Sequence, residues 1–253
     1  MSDLFDVSAK TVLVTGGSRG IGRMIAAGFV EAGAKVYISS RKEAELRATA
    51  QEIGATPLPA DLSTEAGATA LGAAFAEREQ QLHVLVNNAG ATWGEPLASY
   101  PEAAFDKVLA TNIKGPFFLT RALLPQLEAS ATPGDPARVI MVGSIEGIRV
   151  PDWENYAYPA SKAGIHMLTR HLASRFAPTI SVNAIAPGLF PSRMTAFVFD
   201  EDPEAALATS TIPLRRAGEA ADMAGVAIFL ASKAGAYLTG AIIPVDGGLS
   251  THG

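Results

Sequence analysis

Apolar residues along this chain follow two alternating rhythms. Short, nearly continuous apolar runs at 11–15, 35–39, 56–60, 82–87, 138–143, 180–186 and 241–245 suit strands buried on both faces. Between them the spacing changes. Ile21, Met24, Ile25, Gly28 and Phe29 recur at i, i+3, i+4, i+7 and i+8, and Met223, Val226, Ala227 and Leu230 repeat the pattern near the C-terminus. Longer helices are expected over 101–127 and 155–176. Regular alternation of strand and helix predicts an α/β fold: a doubly wound parallel sheet of about seven strands with helices on both faces. The turn-rich stretch 129–136 reads as a surface loop tolerant of change. The long irregular stretch 187–214 follows the sixth strand and carries apolar Leu189, Phe190, Met194, Phe197, Val198 and Phe199 beside the acidic run 200–202. In such sheets ligands bind beyond the carboxyl ends of the strands, so 189–214 is expected to form a lid.

Composition narrows the picture. At 253 residues, 48% hydrophobic and 18% charged, the chain suits one large core and a single domain over 1–253. The absence of cysteine excludes disulfides, thiolate metal sites and a cysteine nucleophile. A net charge of −5 with scattered basic residues gives no footprint for nucleic acid or an anionic membrane. His83, His166, His171 and His252 lack metal-ligand spacing, so no metal is expected. The first ten residues carry no apolar leader segment and no apolar run approaches ~18 residues, which reads as a soluble, cytoplasmic protein.

Three constellations carry chemistry. Thr15-Gly16-Gly17-Ser18-Arg19-Gly20-Ile21-Gly22 follows the first strand and opens the first helix, where glycines let backbone N–H groups approach a pyrophosphate. This points to a dinucleotide and a Rossmann-type sheet, although a tight connection would also use such a turn. The second strand ends Ser39-Ser40-Arg41 without the acid that grips a ribose 2′-hydroxyl, and Arg41 and Arg19 offer guanidinium groups for a 2′-phosphate. NADP(H) is therefore expected over NAD(H). Asp61 and Leu62, after the third strand, meet the adenine edge, or Asp61 simply caps a helix. Tyr158 and Lys162, four apart, share a helix face. A unit charge at ~4 Å in an effective dielectric of ~20 is worth roughly 4 kcal/mol, about three pK units, so the ammonium would lower the phenol pKa toward neutrality. A Tyr-x-x-x-Lys pair alone also fits an ordinary surface helix. Only Tyr158 has such a lysine, because residue 160, four beyond Tyr156, is alanine; Tyr156 is read as a pocket or packing residue.

The glycine turn, Asn87-Asn88-Ala89-Gly90, Asn112, Ser144, Tyr158 with Lys162, and Pro187-Gly188 together resemble the short-chain dehydrogenases/reductases over essentially the whole chain. The segments Ala186-Pro187-Gly188-Leu189-Phe190-Pro191-Ser192-Arg193-Met194-Thr195 and Tyr237-Leu238-Thr239-Gly240 resemble the 3-oxoacyl reductases of the rhamnolipid-biosynthesis type. The resemblance implies that Tyr158 is the general acid, that Lys162 lowers its pKa and binds the nicotinamide ribose, and that Ser144 hydrogen-bonds the substrate oxygen. It implies that Asn112 holds a water leading to Lys162. Asn88, Ala89 and Gly90 would line the cofactor cleft, with Pro187, Gly188 and Phe190 near the nicotinamide. The interval from Ser144 to Tyr158 is one residue longer than usual, which we place in 149–155 and which leaves the wall near Trp153 open. Carrier-dependent relatives carry arginines where this chain has Asp135 and Pro178, which argues against an acyl carrier protein partner. Small and apolar residues on more than one face of 155–176 imply a homotetramer or dimer, unless a neighbouring helix of the same chain covers that face. The implied activity is NADPH-dependent reduction of a 3-oxoacyl group, with another alcohol/ketone pair (sugar, steroid or small secondary alcohol) as the second reading and a non-catalytic dinucleotide-binding sensor as the third.

Overall fold

The computed structural model describes residues 4–192 and 212–251. Seven strands form one parallel sheet: β1 (Thr11–Thr15), β2 (Lys35–Ser39), β3 (Thr56–Pro57), β4 (Val84–Asn87), β5 (Ala137–Val142), β6 (Ile180–Pro187) and β7 (Ile242–Val245). Their spatial order is β3-β2-β1-β4-β5-β6-β7. The chain winds one way from β1 to β3 and then returns past β1 to place β4 on its other side. That reversal opens a crevice at the carboxyl ends of β1 and β4, where backbone groups diverge with no crossing connection above them.

Side-chain alternation explains why the strand segments read as unbroken apolar runs. Val12 and Val14 of β1 point into one core with Ile25 and Phe29 of α1 (Gly20–Glu31), Leu46 of α2 (Glu43–Ile53), and Met223 and Leu230 of the helix Ala220–Ala231. Leu13 points into the other core. There it meets Leu71 and Phe75 of α3 (Glu65–Ala76), Leu119 of α5 (Gly115–Ala122), Leu127 of α6 (Leu124–Ser130), and Ile165 and Leu172 of α7 (Ala157–Phe176). With both faces covered, neither set of alternating positions can be polar. Ala220–Ala231, α8 here, packs on α1 at close range: a Cβ on Gly28 would lie 2.3 Å from the Cβ of Ala224.

Three expectations differ from the structure. β3 is two residues long rather than five; Leu58 N and Ala60 N still donate to the Ile38 (2.8 Å) and Ser40 (3.2 Å) carbonyls, and Pro57 and Pro59 take the alternate positions that face away from β2 on this edge strand. The helix expected over 101–127 runs unbroken from Glu102 to Ala122 as α4 (Glu102–Leu109), a π turn (Ala110–Lys114) and α5, and is interrupted only at Leu123, before α6. Pro125 falls in the first turn of α6, where a missing N–H costs least, and Pro116 follows the π turn, in which Asn112 sits. The loop 129–136 is not the freely tolerant surface expected. The Ser130 hydroxyl is buried and donates to the Leu82 carbonyl at 2.7 Å, and Asp135 accepts from Lys10 (3.0 Å) and from Arg138 (2.8 Å). Of the expected lid 189–214, residues 193–211 lie outside those described, including Arg193, Met194, Thr195, Phe197, Val198, Phe199, the acidic run 200–202 and Pro203; so does His252.

Arg138 is 1% exposed. Its guanidinium spans from β5 to the end of α8, donating to the carbonyls of Leu230 (3.1 Å) and Ser232 (3.3 Å) as well as to Asp135. Burial pushes the Asp135 carboxyl up, yet Lys10 and Arg138 together hold it below its ordinary value. A carboxylate so depressed contributes stability above its unfolded pKa of ~3.9 and loses it as pH falls through the folded value. Asp135→Asn leaves a buried guanidinium without its counter-charge. We expect it to cost about 2 kcal/mol at pH 7, less than the 3–5 of a fully buried pair because water reaches Asp135. Urea unfolding should show that deficit shrinking below pH 4.

Candidate active site

Site construction begins where β1 ends. The Thr15 hydroxyl donates to the Val86 carbonyl and accepts the N–H groups of Asn88 and Ala89 at 3.0 Å each, joining the tips of β1 and β4 across the crevice. Asn88 Nδ2 donates to the carbonyls of Thr15 (2.8 Å) and Gly16 (3.3 Å). Gly16 has φ +66°, and a Cβ on Gly22 would lie 2.3 Å from the Gly16 carbonyl oxygen, so neither position admits a side chain. Arg19 precedes α1 in an extended conformation and supplies no side-chain acceptor to its first turn. The opening N–H groups of α1 and its positive dipole end therefore face the crevice, an arrangement that suits an anion.

The crevice continues as one cleft of about 690 Å³. Gly16, Ser18, Arg19, Gly20, Ile21 and Gly22 line one part of it, with Asn88, Ala89 and Gly90 alongside, Arg41, Asp61 and Leu62 toward one end, and Pro187, Gly188 and Phe190 toward the other. At the first end the hydroxyls of Ser39 and Ser40 are buried without a hydrogen-bond partner among the described residues. Arg41 is exposed; Arg19 lies 3.6 Å from Glu45, whose carboxylate also takes the Ser18 hydroxyl at 3.4 Å. Asp61 is not a helix cap, since Thr64 caps α3 by accepting from Gly67 N. Its carboxylate accepts from Ser63 N at 3.0 Å; burial works against ionisation, but that bond and Arg41 hold the group below its ordinary value.

The opposite end brings Ser144, Tyr158 and Lys162 together beneath Gly90. Ser144 follows β5, and its Oγ accepts the N–H of Glu146 at 3.1 Å, which leaves the hydroxyl proton free to be donated. Lys162 Nζ donates to the Val142 carbonyl at 2.8 Å and stands 5.3 Å from the centroid of the Tyr158 ring. Asn112 Oδ1 accepts Ala91 N (2.8 Å) while its Nδ2 donates to Ala91 O (2.9 Å) and Ser161 Oγ (2.8 Å). Ser161 in turn donates to the Tyr158 carbonyl at 2.6 Å. Asn112 thus ties the π turn to the loop after β4 and to the first turn of α7, with most of its hydrogen-bonding capacity spent on protein.

A protein-family model described as "Enoyl-(Acyl carrier protein) reductase" matches residues 16–250. The chain is 47% identical over 254 residues to the rhamnolipids biosynthesis 3-oxoacyl-[acyl-carrier-protein] reductase of Pseudomonas aeruginosa, covering 98% of this chain and 99% of that one. The chain belongs to the short-chain dehydrogenase/reductase family. The Pseudomonas aeruginosa RhlG/NADP active-site complex superposes with a TM-score of 0.94 at 46% identity, covering 99% of this chain and 100% of the other. Galactitol 2-dehydrogenase (L-tagatose-forming) of Cereibacter sphaeroides is 34% identical, covering 97% and 96% of the two chains. No helix among the described residues is long and apolar enough to cross a membrane.

Electrostatics at the reaction end of this short-chain dehydrogenase/reductase differ from the sequence expectation. The Tyr158 phenol is pushed up, not down: burial penalises the phenolate most, the Glu146 carboxylate adds to it, and Ser144 only partly offsets both. Lys162 does not counter this because burial lowers its own pKa to about 8, and its ammonium is spent on Val142 rather than on the phenol oxygen. Tyr156, by contrast, is a packing residue. It meets Tyr100 edge-on at 5.7 Å between centroids and donates to Glu154. Sequence reasoning passed over Glu146 and Asn155; an acid two residues after Ser144 was the available signal for the first, and nothing marked the second.

The value of about 8 for Lys162, against 10.5 for an ordinary lysine, has a signed consequence for stability. Below pH 8 folded and unfolded chains both carry the proton, and the folded one bears the burial penalty. Between 8 and 10.5 the unfolded chain binds more protons, so stability rises with pH. Lys162→Met should therefore be more stable than the wild type at pH 7, by about 1–2 kcal/mol once the lost Val142 bond is allowed for. Thermal unfolding should show the difference closing toward pH 10.

Proposed function

We propose that this oxidoreductase reduces the carbonyl of a 3-oxoacyl thioester or a related 3-oxo compound to a secondary alcohol, using NADPH. The observation that carries the reading is the convergence of Ser144, Tyr158 and Lys162 at one end of a cleft whose other end holds a glycine cradle, two buried serine hydroxyls unpartnered among the described residues, and Arg41. The residues present fit NADP(H). The first turn of α1 and the Gly16–Gly22 turn would receive the pyrophosphate, Ser39, Ser40, Arg41 and Arg19 the ribose 2′-phosphate, and Asp61 and Leu62 the adenine edge. Asn88, Ala89, Gly90, Pro187, Gly188 and Phe190 would border the nicotinamide. When bound, NADPH supplies the hydride.

The chain's own side chains do the rest. Tyr158 delivers its proton to the carbonyl oxygen as the carbon is reduced, and a phenol kept protonated by burial is in the state that reduction requires. Ser144, with its lone pair taken by Glu146 N, donates to the same oxygen and stabilises the charge that develops there. Lys162, charged at neutral pH, would hold the ribose hydroxyls of the cofactor with the N–H groups that Val142 leaves free. Asn112 fixes the first turn of α7 through Ser161.

The likeness to galactitol 2-dehydrogenase supports a second reading, another alcohol/ketone pair such as a polyol. A non-catalytic sensor is disfavoured by the intact Ser144, Tyr158 and Lys162 set. An acyl carrier protein is not part of the proposal. Asp135 carries negative charge and is engaged by Lys10 and Arg138, so it offers no cation to an acidic partner. Exposed Phe105, Phe117 and Met167, on α4, α5 and α7, support self-association as a homodimer or homotetramer in the cytoplasm.

Following NADPH absorbance with a panel of 3-oxoacyl thioesters, polyol ketones and small ketones tests the reading directly. Turnover of the thioesters supports it, and turnover only of the others replaces it with the second. Tyr158→Phe should lower kcat by about 10²–10⁴ with NADPH binding retained. In the same plate, Arg41→Ala should raise KM for NADPH about tenfold and leave NADH use unchanged. Preference of the wild type for NADH would overturn the cofactor assignment.

A further inference from the structure

The segment 148–155 joins the turn after Ser144 to the helix that bears Tyr158, and packing does little to hold it. Ile148 is 49% exposed, Val150 85% and Trp153 50%. Polar contacts fix it instead. Its outer part is fastened by Arg149 to the Leu249 carbonyl and by the Glu154 carbonyl to Glu95 N. Its inner part converges on one carboxylate: Glu146 Oε2 accepts from Asn155 Nδ2 at 2.8 Å and Oε1 accepts from Trp153 Nε1 at 3.1 Å.

Those bonds continue in both directions. Glu146 N donates to Ser144 Oγ at 3.1 Å, and the Asn155 carbonyl accepts Tyr158 N at 2.8 Å, at the start of α7. Ser144 and Tyr158, which must act on one oxygen, are thus joined by an unbroken path through Glu146 and Asn155. The central bond is charge-assisted, and Asn155 is only 8% exposed, so water cannot replace Glu146 as its partner at no cost. On the other side Asn112 and Ser161 hold the same helical turn.

We propose that Glu146 is a positioning residue for the reaction: through Asn155 it braces the Ser144 turn against the first turn of the helix bearing Tyr158. The proposal rests on the reductase reading above. It is specific about how Glu146 places the two donors, by accepting hydrogen bonds; the charge that raises the Tyr158 and Lys162 pKa values is a separate influence, which Glu146→Gln removes while keeping the brace. Asn155 Oδ1 is buried without a partner among the described residues, so in Glu146→Gln the Asn155 amide can turn and accept from the new side-chain amide. The brace then survives without the charge.

Four variants test it: Glu146→Ala, Glu146→Gln, Asn155→Ala and the double alanine, each assayed below its own melting midpoint on whichever carbonyl compound the wild type reduces. Glu146→Ala and Asn155→Ala should each lower kcat about tenfold, with KM for the carbonyl compound changing less than about twofold, because misplacement of the donors acts on the reacting geometry. The double variant should fall no further than either single one, and Glu146→Gln should stay within about threefold of the wild type. Wild-type kcat in Glu146→Ala, additive losses near a hundredfold, or a Glu146→Gln as slow as Glu146→Ala would each overturn the brace. Acrylamide quenching of Trp153 in a Trp93→Phe background reads the same brace without turnover and should increase in both single alanine variants. Unchanged quenching overturns the brace, whereas increased quenching in a protein that reduces no carbonyl compound leaves the brace standing and removes the reductase reading.

Discussion

A primary ammonium sealed beneath the cleft is the constraint on which the reaction end depends. Lys162 is 5% exposed, and its Nζ is anchored to the Val142 carbonyl at 2.8 Å, at the point where β5 ends. An ion cannot be buried there at low cost, and the drop in its pKa toward 8 measures the penalty. Around it the structure supplies what a lone lysine lacks: a carbonyl from β5, the Glu146 charge in the cleft wall, and the π turn of Asn112 beneath Gly90. A Cβ on Gly90 would lie 3.4 Å from Asn112 Oδ1 and 3.9 Å from Lys162 Nζ, so the loop after β4 passes close to both without crowding them.

The same burial decides the state of Tyr158. A phenol in this pocket keeps its proton, the state that the proposed donation to a carbonyl oxygen requires. The position of that proton is set by scaffolding on two sides, Asn112 with Ser161 on one and Glu146 with Asn155 on the other. Stability is gathered elsewhere. At the amino ends of the strands Arg138 joins β5 to α8 and meets Asp135, which also pairs with Lys10, so one end of the sheet is fastened by paired charge while the other holds the buried Lys162 and Tyr158.

Much of this was legible in the chain. The runs at 11–15 and 35–39 coincide with β1 and β2 because a strand covered on both faces must be apolar throughout, and nothing else in the fold competes with that signal. Tyr158, Lys162 and Ser144 could be picked out because their chemistry requires fixed residue types at helical and turn spacings. Segment 101–127 is helical as its apolar pattern implies, but the pattern did not show the π turn inside it, where Asn112 bonds to the loop after β4. Loop 129–136 misled for a similar reason, since a turn-rich composition says nothing of a guanidinium arriving from β5.

By itself, then, the sequence determined the alternation of elements, the doubly wound class, the glycine turn and the residue types that the cleft brings together, all of which are local in spacing or composition. Tertiary structure alone decided the electrostatics and the bracing. Burial, set by residues far apart in the chain, reversed the expected direction of the Tyr158 pKa, and the link from Ser144 through Glu146 and Asn155 to Tyr158 exists only because β5 and α7 are brought side by side.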